Sequence, residues 1–433
     1  MTLKKVLIFF TISLLIGLAF IPATECRTTD FKKIKTIFNN ESDGIKIQNL
    51  NALSPYDYGL KAGKMLNAQY RFFNNIFRIF EKWKIESIQI EKQIKNIDKY
   101  FPFFSEELRG LSKSTNIKLD RLLFLQNILC SLFYGECTVA LATGKATKFN
   151  QTFLTFNIDS SLDSVGDILL SALLHRIFSL KCWIVRINTM EYNYAFWGIP
   201  ILLEYPFLNE KGLGWGSPGT IFTDNESRYI DEGPGIPTME LEKLAMMTCK
   251  NVSEVARLYL NTERASEKGN GWFHMYDGSS SCFCDLEGGI LIIEQTHHYI
   301  ITVFGNSTEI TGAPEGILWH ANHHQWLDPN LTGSMYPNEN PSSDLRAERT
   351  HELLNDAYGN ITLETCKTIT RDHGGGFDKD GKDSGDICRH PDSSSSKITA
   401  FSWIIMPKNL TVFWTHTSPC KGIFFEHDFS KIF

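Results

Sequence analysis

The stretch SLFYGECTVALATGKATKFNQTFLTFNIDSS, residues 131–161, decides how this chain is read. A strand-like segment opens at Cys137-Thr138, and a short turn follows around Lys148-Phe149-Asn150-Gln151. A second strand-like segment then ends in Asn157-Ile158-Asp159. Two strands joined this way form an antiparallel hairpin, in which the start of the first meets the end of the second. The reading therefore predicts a thiol and a carboxylate at one end of the same sheet. A thiol beside polar groups in a strand-end pocket suits an acyl-transfer nucleophile. The other reading of the same residues is a small buried cysteine in an ordinary core hairpin.

The chain around this stretch has a globular composition. Of its 433 residues 42% are hydrophobic and 21% are charged, with a formal net charge of -6, which is neither a disordered nor a fibrous composition. The mild negative balance and scattered Lys and Arg point away from a nucleic-acid partner.

The first residues predict the compartment. Lys4 and Lys5 precede an apolar run from Val6 to Ile21, then Pro22-Ala23-Thr24-Glu25-Cys26. This is a signal-peptide pattern over residues 1–26, with a retained signal anchor as the alternative. Eight Asn-x-Ser/Thr acceptors lie at Asn40, Asn150, Asn225, Asn251, Asn306, Asn330, Asn360 and Asn409. With a signal sequence they predict a glycosylated chain in a secreted or lysosome-like lumen. Ten cysteines could pair in such a compartment, in a connectivity that sequence does not specify. No Cys-x-x-Cys pair is present, so neither a zinc knuckle nor a thioredoxin-like motif is indicated.

Residues 27–50 are polar and weakly patterned and read as a flexible entry. Residues 54–126 read as helical, with Tyr70, Phe73, Ile76, Phe77 and Phe80 on one face. Beyond the hairpin, 183–187 and 194–197 look like strands and Asn209 to Leu213 like a turn. Residues 237–260 look helical and 289–294 like a buried strand. Two more helices are expected over 343–358 and 362–371, with Thr362 and Thr365 near a cap. A final strand pair is expected at 398–405 and 411–415. Gly214, Gly216 and Gly219 formally match a dinucleotide fingerprint, but Pro218 lies within it and no βαβ unit surrounds it. Asp378, Asp380, Asp383 and Asp386 lack EF-hand spacing and read as a solvated loop. Helices, strands, two helical regions and strands again suit an α+β layered sandwich.

The hairpin resembles the Cys-Thr…Asn-x-Asp hairpin of N-terminal-nucleophile (Ntn) hydrolases, and is most similar to the acyl-CoA:6-aminopenicillanic-acid acyltransferase family. The likeness runs from Tyr56 to Phe433 in the family's order. It includes the helix Glu106-Glu107-Leu108-Arg109-Gly110-Leu111-Ser112, the turn Asn209 to Leu213, the pair Asn322-His323 and the run from Ser343 to Arg349. Asp372-His373, Ile387-Cys388-Arg389-His390 and Ser418-Pro419-Cys420 also match late family motifs. Two positions depart from the pattern: Glu136 precedes the nucleophile where Gly is usual, and Phe156 stands where relatives often have Arg or Gln.

The resemblance implies a four-layer αββα sandwich of Ntn-hydrolase type. It implies a helical segment over 27–136 and a catalytic domain over 137–433, released by self-cleavage between Glu136 and Cys137. The two chains would remain as a heterodimer. Cys137 would then supply both the nucleophile and, through its free α-amine, the base. The implied site adds Asp159 and the oxyanion donor Asn322 as catalytic residues, and Asn157 and Arg346 as substrate-binding residues. Arg349 reads equally as a structural ion-pair residue. No cofactor is implied, and no catalytic His is required. His320, His323 and His324 are weighed as zinc ligands and set aside, for no His-x-x-x-His helix with a nearby Glu contains them. The expected partner is a small-molecule amide or acyl donor, without metal. Expected function is hydrolysis of a linear amide or transfer of its acyl group. A lipid amidase of the acid-ceramidase type and an inactive binding protein on the same fold are the rivals; a papain-like motif is absent.

Overall fold

The computed structural model describes residues 47–78, 87–133, 136–161, 181–221, 231, 233–266, 280–377, 384–390, 397–415 and 417–433. The signal-peptide reading, the acceptors at Asn40 and Asn225, and Asp378, Asp380 and Asp383 lie outside them, as do the side chains of the aromatic stripe beyond Tyr70.

Two stacked sheets form the centre. One has eight strands in the order β1 (Ile47–Ala52), β4 (Lys181–Ile187), β5 (Tyr194–Ile199), β6 (Leu203–Asn209), β7 (Gly214–Gly216), β8 (Ser280–Cys284), β9 (Ile290–Gln295), β10 (Ile300–Phe304). The other has six, in the order β11 (Ile317–His320), β2 (Cys137–Ala142), β3 (Phe153–Ser161), β12 (Lys397–Met406), β13 (Thr411–Thr415), β14 (Phe425–Asp428). Every pairing is antiparallel except β1 with β4. The expectation that residues up to 50 form only a flexible entry is corrected here. Ile47 to Leu50 belong to β1, because β4 offers a backbone edge to pair with and Leu50 finds a buried place.

Period-2 alternation separates two cores. Val139, Leu141, Leu154, Phe156 and Ile158 face the other sheet, whereas Ala140, Ala142 and Phe153 face the helices on the outside. The inter-sheet core is aromatic: Trp197 packs tilted against Phe401 at 4.4 Å, and Phe156 packs tilted against Trp403 at 4.9 Å and edge-on against Trp215 at 5.9 Å. Each such pair adds roughly 0.5–1.5 kcal/mol beyond burial. Phe156 is thus a core residue.

Helices α1 (Pro55–Met65), α2 (Asn67–Arg78), α3 (Ser87–Tyr100), α4 (Pro102–Thr115), α5 (Leu119–Phe133), α6 (Thr238–Thr248) and α7 (Val252–Asn261) form the layer over the eight-stranded sheet. Helices α8 (Pro341–Asp356) and α9 (Leu363–Thr370) cover the six-stranded one. The result is the four-layer αββα sandwich. Helix α1 crosses α4 at a pair of glycines. A Cβ on Gly59 would lie 2.0 Å from the Glu107 carbonyl oxygen, and one on Gly110 would lie 2.1 Å from that of Tyr56. The single helix expected over 237–260 is two, because Asn251 caps α7 by accepting from the Glu254 N–H. Thr362 and Thr365 form a capping box at the start of α9.

A buried polar knot ties the first helices to the sheet. Lys243 of α6 reaches Glu107 of α4 at 2.6 Å and Glu204 of β6 at 3.1 Å. Tyr58 and Tyr194 each donate to Glu204 at 2.7 Å.

Candidate active site

Strand register brings the site together. Cys137 pairs with Ile158 in the β2–β3 ladder, so the next rung joins Glu136 to Asp159. The Asp159 N–H donates to the Glu136 carbonyl oxygen at 2.7 Å. On the other side of β2, His320 pairs with Val139. Two further residues along the chain carry Asn322 to the level of Cys137, whose N–H donates to Asn322 Oδ1 at 2.8 Å. The peptide between Glu136 and Cys137 is therefore held at both its oxygen and its nitrogen.

The loop carrying Asn322 is anchored from behind. Ser343 Oγ accepts from the Asn322 N–H at 2.6 Å and lies 2.8 Å from His323 Nδ1. Glu294 of β9 accepts from the N–H groups of Gln325, Trp326 and Leu327 and pairs with His320 Nε2 at 2.8 Å. Burial alone would raise its pKa, but the His320 bond and these donors hold the carboxyl down at about 2. The three histidines do not converge. His320 Nδ1 lies 2.6 Å from the Ala321 carbonyl and His324 Nδ1 lies 3.2 Å from Thr332 Oγ1. Burial lowers His323 to about 3 and His324 to about 4, so both are neutral.

Helical spacing places Ser342, Ser343 and Arg346 on the inner face of α8. The fully buried Arg346 guanidinium spreads over the site. Nη1 donates to the Cys137 carbonyl at 2.5 Å and to Thr138 Oγ1 at 2.8 Å, Nη2 donates to Glu136 Oε2 and Asn322 Oδ1, both at 2.8 Å, and Nε donates to Ser342 Oγ at 3.4 Å. The Glu136 carboxylate, 6% exposed, also contacts Arg389 and Lys397. A buried carboxylate among three cations is a built feature, not an awkward neighbour of the cysteine. Sequence reasoning missed Arg389 and Lys397 as site residues; the only signal was Arg389's place in Ile387-Cys388-Arg389-His390.

Three expected roles change. Asn157 does not face open space: Nδ2 donates to the Thr370 and Ile387 carbonyls, both at 2.9 Å, and Oδ1 accepts from Ser402 at 2.7 Å. Its amide is spent on holding the segment before β12, which leaves no group for the expected substrate contact. Asn322 presents its oxygen to Cys137, while Nδ2 donates to the Gly219 carbonyl at 2.7 Å. In that orientation the oxygen holds the cysteine nitrogen. Asp159 meets the cysteine as expected, but through its backbone. The pleat turns its side chain to the helix side, where Oδ1 accepts from Thr399 at 2.6 Å. Burial raises the Asp159 carboxyl, against the pull of Arg346 and Arg389.

The Cys137 side chain points into the inter-sheet core and is 6% exposed. Burial pushes its thiol well up, a push reinforced by Asp159 and opposed by Arg346 and by the N–H groups of Asp159 and Gly219. Arg349 forms a two-pronged pair with Asp372 at 2.9 Å on both nitrogens and serves structure.

No family model matches the sequence, and no curated protein matches it. Among solved structures, two variants of the conjugated bile acid hydrolase from Clostridium perfringens are similar at 14% identity. Each covers 68% of this chain and 93% of its own, with a TM-score of 0.38. Penicillin V acylase from Agrobacterium tumefaciens is similar at 12% identity, covering 68% of this chain and 87% of its own, with a TM-score of 0.36.

Proposed function

We propose that the chain is an Ntn-type cysteine amidohydrolase that cleaves itself between Glu136 and Cys137. The observation that carries this reading is the double hold on that one peptide, by the Asp159 N–H on its oxygen and Asn322 Oδ1 on its N–H. In the first step the Cys137 sulfur adds to the Glu136 carbonyl carbon, and its proton passes to the departing Cys137 nitrogen as the C–N bond breaks. The Asp159 N–H stabilises the charge that develops on oxygen. Water then hydrolyses the thioester, leaving a Glu136 carboxylate and a Cys137 with free thiol and α-amine. That amine has a reference pKa of ~7.7–8.0 and takes the thiol proton in each later turnover. It returns the proton to the leaving amine of the substrate. Water releases the acyl group; a second amine in its place would make the enzyme an acyltransferase.

The knot of Lys243, Glu107 and Glu204 supports a heterodimer, since it joins residues on both sides of the cut. The acceptors at Asn150, Asn306, Asn330, Asn360 and Asn409 are exposed, in keeping with a secreted or lysosome-like chain that has lost residues 1–26. Glu136 holds the ground beside the scissile carbonyl against Arg346, Arg389 and Lys397. Once the freed end at Glu136 withdraws from these cations, an acyl donor with its own carboxylate matches them best, which favours an acidic acyl amide over a neutral lipid amide.

Mass spectrometry of the mature protein tests the reading. The expected result is a fragment beginning Cys137-Thr138; an intact chain with full amidase activity refutes self-cleavage.

A further inference from the structure

We propose that His373, Cys388, His390 and Cys420 form a structural zinc site beside the candidate active site. Among the described residues these four converge, with one ligand atom from each lying within 4.8 Å of every other. His390 Nε2 is 3.0 Å from Cys420 Sγ and 3.7 Å from Cys388 Sγ. Zn–N bonds of about 2.0–2.1 Å and Zn–S bonds of about 2.3 Å in a tetrahedron put neighbouring ligand atoms about 3.3–3.8 Å apart. The 3.7 Å separation lies within that range and the 3.0 Å one just below it. The His373 and His390 rings stand edge to face at 5.0 Å, so both imidazoles border the two thiols.

The chemistry of the donor set selects the ion. Two thiolates and two neutral imidazoles are a closed Cys2His2 set, which suits Zn²⁺ and leaves no open position for substrate or water. Binding expels the two thiol protons, and the resulting centre carries no net charge. A neutral centre fits a place where Cys388 is buried and His390 and Cys420 are half-buried, with exposed His373 at the rim.

The ligands come from three separate segments. His373 follows α9, Cys388 and His390 precede β12, and Cys420 lies in the turn after β13. The ion would staple these together. The stapled segment is the one that supplies Arg389 to Glu136 and the Ile387 carbonyl to Asn157. It is also tied by the Cys388 N–H donating to the Asp372 carbonyl at 2.9 Å and the Arg389 N–H donating to Thr399 Oγ1 at 2.8 Å. The zinc thus acts as a positioning element for the cation cluster, and takes no part in amide cleavage.

The rival for the same atoms is a Cys388–Cys420 disulfide, formed at the expense of an oxidant. Elemental analysis and native mass spectrometry of the full chain separate the two without reading activity. The expected result is one zinc per chain, absent in Cys420→Ser and in Cys388→Ser. His373→Ala removes an exposed ligand and leaves the fold intact. It is expected to weaken zinc at least about tenfold in competition with a chromophoric chelator. Co²⁺ bound in place of zinc should show thiolate-to-metal charge transfer in the wild type and lose it in Cys388→Ser. A reduced wild-type chain that takes up no added Zn²⁺ overturns the proposal. So does zinc content unchanged by Cys420→Ser, or a Cys388–Cys420 linked peptide in native protein that lacks zinc.

Discussion

Asn322 Oδ1 accepts the Cys137 N–H at 2.8 Å and, at the same distance, an N–H of Arg346. With the proposed self-cleavage that nitrogen would become the α-amine, and Asn322 would remain as the group that aims it. Replacing Asn322 by Ala in pre-cleaved enzyme should lower kcat by about tenfold to a hundredfold and shift the pH–rate limb set by the amine. Steady-state kinetics across pH distinguish this from the oxyanion role, which would lower kcat with the profile in place. A rise in KM alone would show that Asn322 only binds substrate.

Cys137→Ala should yield a folded, uncleaved and inactive chain, since exchanging a thiol for a hydrogen removes the nucleophile at little packing cost. Circular dichroism, mass and turnover report the three properties. Residual turnover of amide by the alanine variant would assign the chemistry to another residue.

Arg346 and Glu136 form a buried pair, so removing one partner strands the other. In an uncleavable Cys137→Ala background, Arg346→Met should destabilise the chain by about 3–5 kcal/mol. Adding Glu136→Gln should restore part of that loss, because the uncompensated carboxylate disappears. Denaturant unfolding of the cycle measures the coupling. Strictly additive effects would mean that Arg389 and Lys397 alone hold Glu136.

On the proposed reading the same cations would set the substrate preference. A glutaryl amide carries its carboxylate as many carbons from the scissile carbonyl as Glu136 does, whereas a pentanoyl amide carries none. The glutaryl amide should have the higher kcat/KM by about tenfold or more, a difference of about 1.4 kcal/mol, and Lys397→Met should narrow the gap. Equal rates for the two amides would remove the case for an acidic acyl group.

Buried groups of opposite sign set the pH dependence of stability. Burial raises both Glu240 and Glu242 to about 7, against the hydrogen bonds from Gln126 and Ser281 that pull them down. Their neutral forms are favoured in the fold, so the contribution is complete below about pH 4.5 and is lost as pH rises through 7. The loss is about 3 kcal/mol for each group. Glu294 has the opposite sign: held at about 2, it stabilises above the ordinary glutamate range and ceases to do so as pH falls toward 2. His323 and His324, held neutral at about 3 and about 4, oppose the two glutamates, since their contribution is complete above the ordinary histidine range and is lost as pH falls toward 4. Glu242→Gln should therefore remove one acid-favouring contribution, so that its Tm between about pH 5 and 8 falls less, or rises more, than that of the wild type; an unchanged dependence of Tm on pH contradicts this account.

Alternation and turn residues fixed the hairpin locally, and with it the meeting of Cys137 with Asp159. Helical spacing put Ser343 and Arg346 on one face, and a side-chain cap set the start of α9. These features depend on residues a few positions apart, which is why the sequence by itself determined them. What tertiary structure decided was where polar side chains spend their hydrogen bonds. Cys137 meets Asn322 across 185 residues and Glu136 meets Arg389 across 253. Contacts at such separations follow from sheet order and layer packing, which no local pattern encodes. That is why the Asn157 amide bonds the Thr370 and Ile387 carbonyls, why Asn322 presents its oxygen to Cys137, and why β1 exists at all. A strand needs a partner edge, and a buried charge needs its counter-charge, and only the folded chain supplies either.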